Sequence, residues 1–396
     1  MRTPTRGDMD PERLSVLTLA PIMLVVFVAY LIIGIPLPVL PVHVHRDLGL
    51  STIVVGVIAG SQFAASLMSR MWAGHLSDTR GAKVTVVTGL VFGSAAGSLY
   101  LLSMLFSATP VRAAAVLLAG RLALGVAESA LITGSLSWGL VLAGGRSSGR
   151  VMAWIGTGLY AALAAGAPVG TLLFDTFGFG AVAAATAGLP LVALAVVLPL
   201  ARPSASAATV RPSFKAVTRA VAVPGAALAL CGFGFASVTT FMALLFADRG
   251  WGPTWVAYTG FSLAFIVGRS LLGHLPDVHG GARVALTCAA VETTGLVFVG
   301  LSTGMGLVMT GVILTGLGYA LVYPGLGVEA IRLAPPESRG LAMGAYTAFL
   351  DVSLGLSGPI LGWVANVYGL GSVFLVSAGV VLASTPLALR LLGARR

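Results

Sequence analysis

The sequence predicts an all-α integral membrane protein whose twelve transmembrane helices form two similar halves of six. Hydrophobic residues make up 57% of the 396 residues and charged residues only 9%, and the mean hydropathy is +0.98. Soluble domains average about 45–50% apolar and about 25% charged residues. Too few charges remain to cover a water-facing surface, which excludes a soluble domain, and the composition is the reverse of that of a disordered chain.

Twelve apolar runs are each long enough to cross a bilayer, because about 30 Å of hydrocarbon requires about 20 mostly apolar residues in a helix. An even number of spans places both termini on the same side. The predicted spans are residues 15–41, 52–73, 84–106, 111–141, 151–173, 179–200, 220–246, 255–272, 284–302, 307–330, 340–363 and 372–390.

The basic residues predict which side holds the termini. Lys and Arg are in excess in short cytoplasmic loops, so the distribution predicts that both termini are cytoplasmic and that the protein lies in the inner (cytoplasmic) membrane. The first run is longer than the about 7–15 residues of a signal-peptide core, so we expect it to remain as span 1. Seventeen of the 23 basic residues lie on the termini's side, namely Arg2, Arg6, Arg13, Arg80, Lys83, Arg146, Arg150, Arg202, Arg211, Lys215, Arg219, Arg283, Arg332, Arg339, Arg390, Arg395 and Arg396.

The longest polar interruption, residues 201–219, divides the chain nearly in half. It is rich in Ser, Ala and Pro and contains four basic residues and no acidic one. We therefore predict a cytoplasmic N-terminal tail at 1–14, a first six-helix bundle at 15–200, a cytoplasmic linker at 201–219, a second six-helix bundle at 220–390 and a cytoplasmic tail at 391–396.

An internal repeat supports this division. The segment from Arg70 to Asp78 recurs from Arg269 to Asp277, with an offset of 199 residues. A second group, Gly166, Pro168 and Gly170 in span 5, recurs in span 11 as Gly358, Pro359 and Gly362, with the prolines 191 residues apart. Both elements occupy the same place in each half, and two parallel six-helix repeats are a known layout of secondary transporters.

Three of these motifs carry a resemblance to a known family. The stretch from Gly74 to Lys83 resembles the loop 2–3 signature of the major facilitator superfamily, and Arg121-x-x-x-Gly125 resembles its span-4 arginine motif. The group at 166–170 is similar to the span-5 motif of antiporters in shortened form. The resemblance covers the whole chain and implies the major facilitator fold, within the twelve-span drug and sugar efflux branch that exchanges substrate for protons.

The loop motif and its repeat predict a gate at the cytoplasmic face. A carboxylate beside a helix N-terminus gains roughly 0.3–1 kcal/mol. Asp78 would face the start of span 11 in one conformation only, and Asp277 the start of span 5; the alternative is that these are solvated loop charges. The candidate gating residues are Arg70, Gly74, Asp78, Gly81, Lys83, Arg269 and Asp277.

Ionisable residues inside spans indicate function, because burying them costs several kcal/mol. Asp351 lies near the middle of span 11 with no cation within a turn of its own helix. Arg121 and Glu128 share one face of span 4 at positions i and i+7. We predict that these three couple protons to transport, the alternative being structural charges that hold helices together. Glu292 on span 9 is interpreted as structural.

The glycine and proline groups predict helix bending where the two halves meet, because proline removes a backbone hydrogen bond and small residues allow close approach; simple packing is the alternative. Aromatic side chains on spans 1, 7, 10 and 11 are candidates for a substrate cavity. The bending residues are Gly166, Pro168, Gly170, Gly358, Pro359 and Gly362, and the cavity candidates are Tyr30, Phe235, Tyr319, Tyr323 and Tyr346.

These features predict a transporter that exports a small organic molecule by proton antiport through alternating access. A proton-coupled uptake symporter and a non-transporting receptor on the same fold are the alternatives. His43 and His45 lack further ligands at metal-binding spacing, and no phosphate-binding Gly-Lys-Ser/Thr loop is present. We therefore expect no enzyme activity, metal or cofactor. The expected partners are a small-molecule substrate, protons and the lipid bilayer, with no nucleic acid and a monomeric chain.

Overall fold

The computed structural model describes residues 11–142, 148–200, 214–334 and 339–393. Every regular element in those ranges is a helix, as expected for a chain in lipid, where the backbone must satisfy its hydrogen bonds internally. The α-helices are α1 (Pro11–Gly34), α2 (Leu40–Val42), α3 (Thr52–Arg80), α4 (Ala82–Ser103), α5 (Pro110–Leu142), α6 (Ser148–Phe177), α7 (Phe179–Val197), α8 (Phe214–Ala220), α9 (Ala222–Arg249), α10 (Trp255–Leu272), α11 (Leu275–His279), α12 (Gly281–Gly300), α13 (Met305–Ala320), α14 (Val322–Leu333), α15 (Arg339–Tyr368), α16 (Leu370–Leu382) and α17 (Thr385–Gly393).

Twelve spans are recognisable in the described residues, and the predicted fold class is confirmed. The first half contains α1, α3, α4, α5, α6 and α7; the second contains α9, α10, α12, α13 with α14, α15, and α16 with α17. Ten of these spans are long and apolar enough to cross a membrane over their described residues. The other two, spans 1 and 5, contribute the shorter apolar stretches Met23–Gly34 and Ala161–Phe177.

Prolines break three of the predicted spans. Span 1 was expected as one helix over 15–41, but α1 ends at Gly34 and the chain turns through Pro36 before α2 and a π-helical turn at His43–Asp47. Span 10 divides at Leu321, and span 12 divides just before α17. Pro324 and Pro386 lie in the first turn of the helix after each break, where their rings would clash with the carbonyl four residues earlier in a continuous helix.

The predicted linker is partly helical, because α8 occupies residues 214–220, at the end of the predicted 201–219 segment. Helix α9 then begins at Ala222, with Pro224 in its first turn. Residues 1–10, 201–213 and 394–396, which hold most of the predicted tails and linker, lie outside the described residues. The domain boundaries therefore remain predictions.

The internal repeat of the sequence is also present in the backbone conformation, at the junctions between helices. Gly81 joins α3 to α4 with φ +91°, and Gly280 joins α11 to α12 with φ +88°. Gly178 joins α6 to α7 with φ +75°, and Gly369 joins α15 to α16 with φ +84°. Residues with a side chain rarely adopt a positive φ, whereas glycine does so without steric cost. The two pairs have the offsets of 199 and 191 residues that the sequence motifs show.

The two halves make close contact at one face of the molecule, along α3 and α15. We call the face where α1 begins and α17 ends the terminal face, and the other the opposite face. In the half of the bundle nearer the opposite face, a β-carbon at Gly56 would lie 2.5 Å from the carbonyl carbon of Gly358, and one at Gly60 would lie 2.5 Å from the carbonyl oxygen of Gly355. The helix backbones therefore touch there. We call these four glycines the glycine seal.

The same two helices diverge toward the terminal face. Gly74 lies 18 residues, or five helical turns, after Gly56, and Gly344 lies 11 residues, or about three turns, before Gly355, so each shares a face of its helix with a seal glycine. A β-carbon at Gly74 or Gly344 would meet no heavy atom of the described residues within 4 Å. The halves are thus closed at the opposite face and separated at the terminal face.

Contacts outside the spans reinforce the closed opposite face. The guanidinium of Arg46, in the π-helical turn, donates to the carbonyl of Ala247 at the end of α9. The His43 ring stacks on Phe179 with centroids 3.9 Å apart, and its Nδ1 lies 2.7 Å from a carboxylate oxygen of Asp47. Burial lowers the pKa of His43, and the hydrogen bond and negative charge of Asp47 oppose that shift without reversing it.

Candidate functional site

An ion pair inside the membrane joins the two halves. A guanidinium nitrogen of Arg70, on α3, lies 2.6 Å from a carboxylate oxygen of Asp351, on α15. Asp351 is buried, whereas the Arg70 side chain retains 26% exposure. The pair lies on the terminal side of the glycine seal, ten residues after Gly60 and four before Gly355. It therefore marks the point where the closed contact gives way to the gap.

A second polar contact lies within the first half, between α3 and α5. The Gln62 side-chain amide donates to Glu128 at 2.8 Å. Gly125, one turn before Glu128, permits this approach, since a β-carbon there would lie 2.8 Å from the Ala65 β-carbon. Arg121 is buried and donates to the carbonyl of Ala59 at 3.4 Å. The predicted span-4 motif thus holds α5 against α3.

Arg70 connects the two contacts electrostatically. Glu128 interacts with the charges of both Arg70 and Arg121. Asp351 interacts with the charges of both Arg70 and Glu128. One guanidinium therefore lies between two carboxylates that belong to different halves of the molecule. Protonation of either acid changes the strength with which Arg70 holds the other.

Several polar atoms beside these acids have no hydrogen-bond partner in the described part of the chain. On α3 they are Gln62 Oε1, Ser66 Oγ and Arg70 Nε, and Arg121 Nε faces them from α5. Residues 62, 66 and 70 are four apart and share one face of α3. Buried polar atoms are nearly always satisfied in proteins, so the lack of partners on this face of α3 is unusual.

The aromatic candidates separate into two groups. Four come together in the second half: the rings of Phe235 and Tyr319 stack at 5.3 Å, and those of Tyr323 and Tyr346 lie 5.3 Å apart. The Tyr346 hydroxyl donates to the Tyr323 carbonyl at 2.9 Å. Tyr30 lies apart from them, in the first-half core.

Only two of these aromatics remain partly exposed. Tyr30, Tyr319 and Tyr346 are buried, so in this conformation they support neighbouring side chains and do not line an open cavity. Phe235 and Tyr323 keep partial exposure. Tyr323 also interacts electrostatically with Arg70, Arg269 and Asp351, which links it to the charged site.

The candidate gating residues occupy different surroundings. Asp78 and Asp277 are exposed at the terminal face. The Lys83 ammonium donates to the carbonyls of Leu198 and Leu200 at 2.7 and 2.5 Å. Lys83 thus ties the loop between spans 2 and 3 to the end of span 6 within the first half.

The four remaining gating candidates lie in different places. Gly74 faces open space on α3, whereas Gly81 forms the positive-φ joint at the end of that helix. Arg70 belongs to the charged site through its contact with Asp351. Its repeat counterpart Arg269 lies with its guanidinium carbon 6.0 Å from the Phe265 ring centroid.

The candidate bending residues lie in uninterrupted helices. Helix α6 runs through Pro168 and α15 through Pro359 without a break. A β-carbon at Gly362 would lie 2.5 Å from the carbonyl oxygen of Thr52, so this glycine, like Gly358, packs across the two halves.

Gly166 and Gly170 pack within the first half instead. Their β-carbons would meet the backbone of Gly34 and Ile35 at the end of α1. The two repeated groups therefore give close helix packing in both halves, but only the copy on α15 seals the contact between halves. Bending at either proline remains a prediction.

Two features of the site were missed in the sequence analysis. Arg70 was assigned to the gate, and its pairing with Asp351 was not foreseen because the residues are 281 positions apart in different halves. Gln62 was not singled out, although it is the only glutamine in the chain and interrupts an apolar run. An isolated amide in such a run is a signal that could have identified it.

Comparison with known proteins agrees with this architecture. The family model of the Major Facilitator Superfamily matches residues 22–259 and 254–396. An uncharacterised MFS-type transporter of Salmonella typhimurium is 40% identical over 372 residues, covering 92% of this chain and 94% of that protein. One of Burkholderia mallei is 40% identical over 366 residues, covering 91% and 88%.

Solved structures show the same fold at low identity. A variant of the nucleoside transporter NupG aligns with a TM-score of 0.78 at 14% identity, covering 95% of this chain and 99% of that one. The human organic anion transporter MFSD10 aligns with a TM-score of 0.65 at 15% identity, covering 96% and 100%.

Proposed function

Because the chain belongs to the Major Facilitator Superfamily and is therefore a multi-pass membrane transporter for a small molecule, we propose that it exports an organic solute in exchange for protons. The observation that carries this proposal is the Arg70–Asp351 ion pair, 2.6 Å long, between the two halves. Burying a carboxylate inside a membrane costs free energy, so such residues usually have a functional role. Here it is placed so that one proton changes the contact between the halves.

Protonation of Asp351 removes its negative charge and converts the ion pair into a weaker hydrogen bond. Arg70 then retains Glu128 as its other acidic neighbour and is drawn toward the first half. The attraction between α3 and α15 falls, and the glycine seal beyond the pair is free to separate. Proton binding at Asp351 would thus favour opening of the opposite face.

The distribution of basic residues supports a cytoplasmic terminal face, and the described conformation is then open to the cytoplasm. Asp351 is ion-paired in this state, as expected after it has released its proton. The partly exposed side chains of Arg70, Phe235 and Tyr323 would receive the solute from the cytoplasm. In this scheme Asp78 and Asp277 clasp helix N-termini in the alternate, outward-open conformation. We further propose that the monomer performs this cycle in the inner membrane.

Nucleosides and organic anions are named for the structurally similar proteins, at identities that establish only the shared fold. In this chain, aromatic rings beside an Arg–Asp pair suit a compact organic solute with an apolar ring and a polar group. Such a solute would compete with the proton by contacting Arg70 or Asp351.

The test uses everted membrane vesicles with an acidified lumen and a pH-sensitive dye. For the parent protein, at least one compound of a screening library should collapse the pH gradient, and Asp351→Asn should abolish that response while folding normally. Asp175→Asn is the matched control, because Asp175 is an exposed acid near the opposite face. A response that persists in Asp351→Asn would move the proton site to Glu128.

The direction of transport is tested with right-side-out vesicles. An exporter should respond when the compound is on the cytoplasmic side, whereas a symporter should alkalinise the outer medium when the compound is added outside. If no compound moves protons in either orientation but counterflow of a labelled compound occurs, proton coupling is excluded. If neither occurs, the receptor alternative is favoured.

A further inference from the structure

Glu292 is a buried acid that the proposed transport cycle does not use. It lies on α12, in span 9, and is 0% exposed. Neither of its carboxylate oxygens has a hydrogen-bond partner in the described part of the chain. An isolated ionised carboxylate in such a place is very unfavourable, and a buried polar group without partners is rare enough to require an explanation.

Two glycines on neighbouring helices make room for this side chain. A β-carbon at Gly234, on α9, would lie 3.1 Å from the carboxyl carbon of Glu292 and closer to Oε1. A β-carbon at Gly318, on α13, would lie 2.7 Å from the Glu292 α-carbon. The carboxyl group therefore lies directly against the backbone of α9, enclosed by α9, α12 and α13.

No described cation neutralises Glu292. The titratable groups that interact with it are two thiols, Cys231 on α9 and Cys288 one turn earlier on α12. The Cys231 sulfur is in turn 3.5 Å from the Ser384 hydroxyl.

The charged residues of the other helices that pack on α12 are elsewhere. On α14, Glu329 pairs with Arg332 at 2.9 Å and accepts a bond from the amide of Ala282 at the first turn of α12. Ten residues, about 15 Å along the helix, separate Ala282 from Glu292. Helices α13 and α16 contain no Asp, Glu, Lys, Arg or His, and the acid and histidine of α11 and the arginine of α17 are exposed at the terminal face.

Helix α9 links this carboxyl to the closed face. Gly234 lies near the middle of α9, and Ala247 near its end accepts the bond from Arg46 of the first half. Opening the opposite face requires that contact to break and α9 to move. Because the carboxyl lies against α9, displacement of that helix at Gly234 would remove part of its enclosure.

We propose that Glu292 is a second proton-binding site, separate from the Arg70–Asp351 pair, that holds its proton while the opposite face is closed and exchanges it when α9 moves. The carboxyl is neutral and sealed in the closed state. In the open state it is hydrated and can ionise. This site binds a proton whatever solute the transporter carries, so it does not rest on the direction proposed above.

The experiment measures the distance across the opposite face as a function of pH. Spin labels are attached to the full-length protein in lipid nanodiscs at Ser107→Cys, in the exposed loop of the first half, and at Asp248→Cys, at the end of α9. Both native cysteines are buried, and a sample without introduced cysteines measures their background labelling. All variants are compared in an Asp351→Asn background, which removes the acid of the Arg70–Asp351 pair, and Glu128 is the same in every variant.

The proposal expects a pH-dependent distance change in Asp351→Asn that is lost in Asp351→Asn/Glu292→Gln. Glutamine resembles the protonated acid in shape, so the closed packing is preserved. Glu329→Gln in the same background is the control for a buried glutamate of the same bundle and should retain the change. A distance that is independent of pH in Asp351→Asn, or a change that survives in the double variant, would overturn the proposal.

A second variant covers the case in which Glu292→Gln fails to fold. Gly234→Ala keeps the acid but forces α9 away from it, so the pH at which the distance changes should shift relative to Asp351→Asn alone. Gly260→Ala on α10, where the nearest heavy atom is the flexible end of Met309, is the matched control. An unshifted profile in Gly234→Ala would show that the carboxyl does not respond to α9, which also overturns the proposal.

Discussion

Arg70 and Arg269 occupy equivalent positions of the internal repeat, 199 residues apart, yet their surroundings differ. Arg70 forms an ion pair with Asp351 in the other half, whereas Arg269 lies beside the ring of Phe265 in its own helix. Applying the second offset of 191 to Asp351 gives Tyr160. The repeat therefore supplies an arginine twice and a facing acid once.

This difference shows that the two halves can share a backbone arrangement without sharing the positions of their charged residues. Two of the contacts between halves, α3 with α15 and α6 with α10, are built from equivalent helices. The first contact includes a titratable group, the Asp351 carboxylate paired with Arg70. The second contact includes a hydrogen bond of 3.3 Å from Thr259 to the carbonyl of Ala164, a pair of groups that do not titrate. Under the proposed mechanism, proton control would lie at only one of these two contacts.

The difference between the two arginines is tested most directly by replacing each one with alanine. Arg70→Ala leaves Asp351 without its partner, and losing one member of a buried ion pair costs about 3 kcal/mol or more. Because Arg70 is partly exposed, we expect a smaller loss of coupled transport, roughly tenfold to hundredfold. Arg269→Ala is the matched variant and should lower transport by about twofold.

Proton-driven solute movement in proteoliposomes measures both variants. Equal losses in the two would show that the arginines act equivalently, and the asymmetry read from the structure would have no functional meaning. Arg70→Lys sharpens the result, because a lysine keeps the charge without the planar fork of guanidinium nitrogens.

The glycine seal can be tested with a single methyl group. Gly358→Ala places a β-carbon 3.0 Å from the carbonyl carbon of Gly56 and closer to its oxygen, so α3 and α15 must move apart. Overpacking typically costs about 1–3 kcal/mol, so labelling of a cysteine at the opposite face should rise about tenfold. Gly344→Ala, on the same face of α15 but in open space, should leave labelling unchanged; a rise in both variants would contradict the assignment of the closed face.

The loop acids should give a smaller effect. If Asp78 clasps the start of α15 in the alternate conformation, Asp78→Asn removes about 1 kcal/mol from that state and shifts the ratio of the two conformations about fivefold toward the one described here. Accessibility of single cysteines at the two faces measures the ratio. Asp277→Asn should act in the same direction, and an unchanged ratio in the double variant would reduce the motif to a marker of topology.

The smallest expected effect concerns pH outside the spans. Because the pKa of His43 is lowered in the folded protein, the unfolded chain binds more protons, and stability falls as pH decreases below about 6.5. His43→Gln should therefore reduce the loss of thermal stability between neutral and mildly acidic pH. Asp47→Asn should increase that loss, since it removes the group that favours the protonated ring. Identical pH profiles in all three proteins would contradict the role of burial.

Much of the fold could be predicted from the sequence, because composition, span length and the repeat all depend on local residue patterns. The breaks near Pro36, Pro324 and Pro386 also follow from local chemistry, although the length of the apolar runs alone predicts single helices. Helix α8 was missed because a short polar segment beside a linker lacks the apolar signal of a span.

The candidate site was harder to predict. Asp351 and Glu128 stood out as acids in apolar runs, but their link through Arg70 depends on the packing of helices far apart in the chain. The same holds for Glu292, whose isolation depends on Gly234 and Gly318 from two other helices. The sequence of α12 alone does not show which residues of the neighbouring helices pack against Glu292.

The paired glycines with positive φ bear on how the two halves of the protein arose. Gly81 with Gly280, and Gly178 with Gly369, preserve the same turn in each half, as expected if one six-span gene segment was copied in tandem. Six is even, so each copy begins and ends on the same side of the bilayer and can be added without inverting the next. After such a duplication, any side chain at these four turns would strain the backbone, while charged positions were free to diverge. The glycine turns therefore preserve the common origin of the two halves, whereas the acidic residues are where the halves differ.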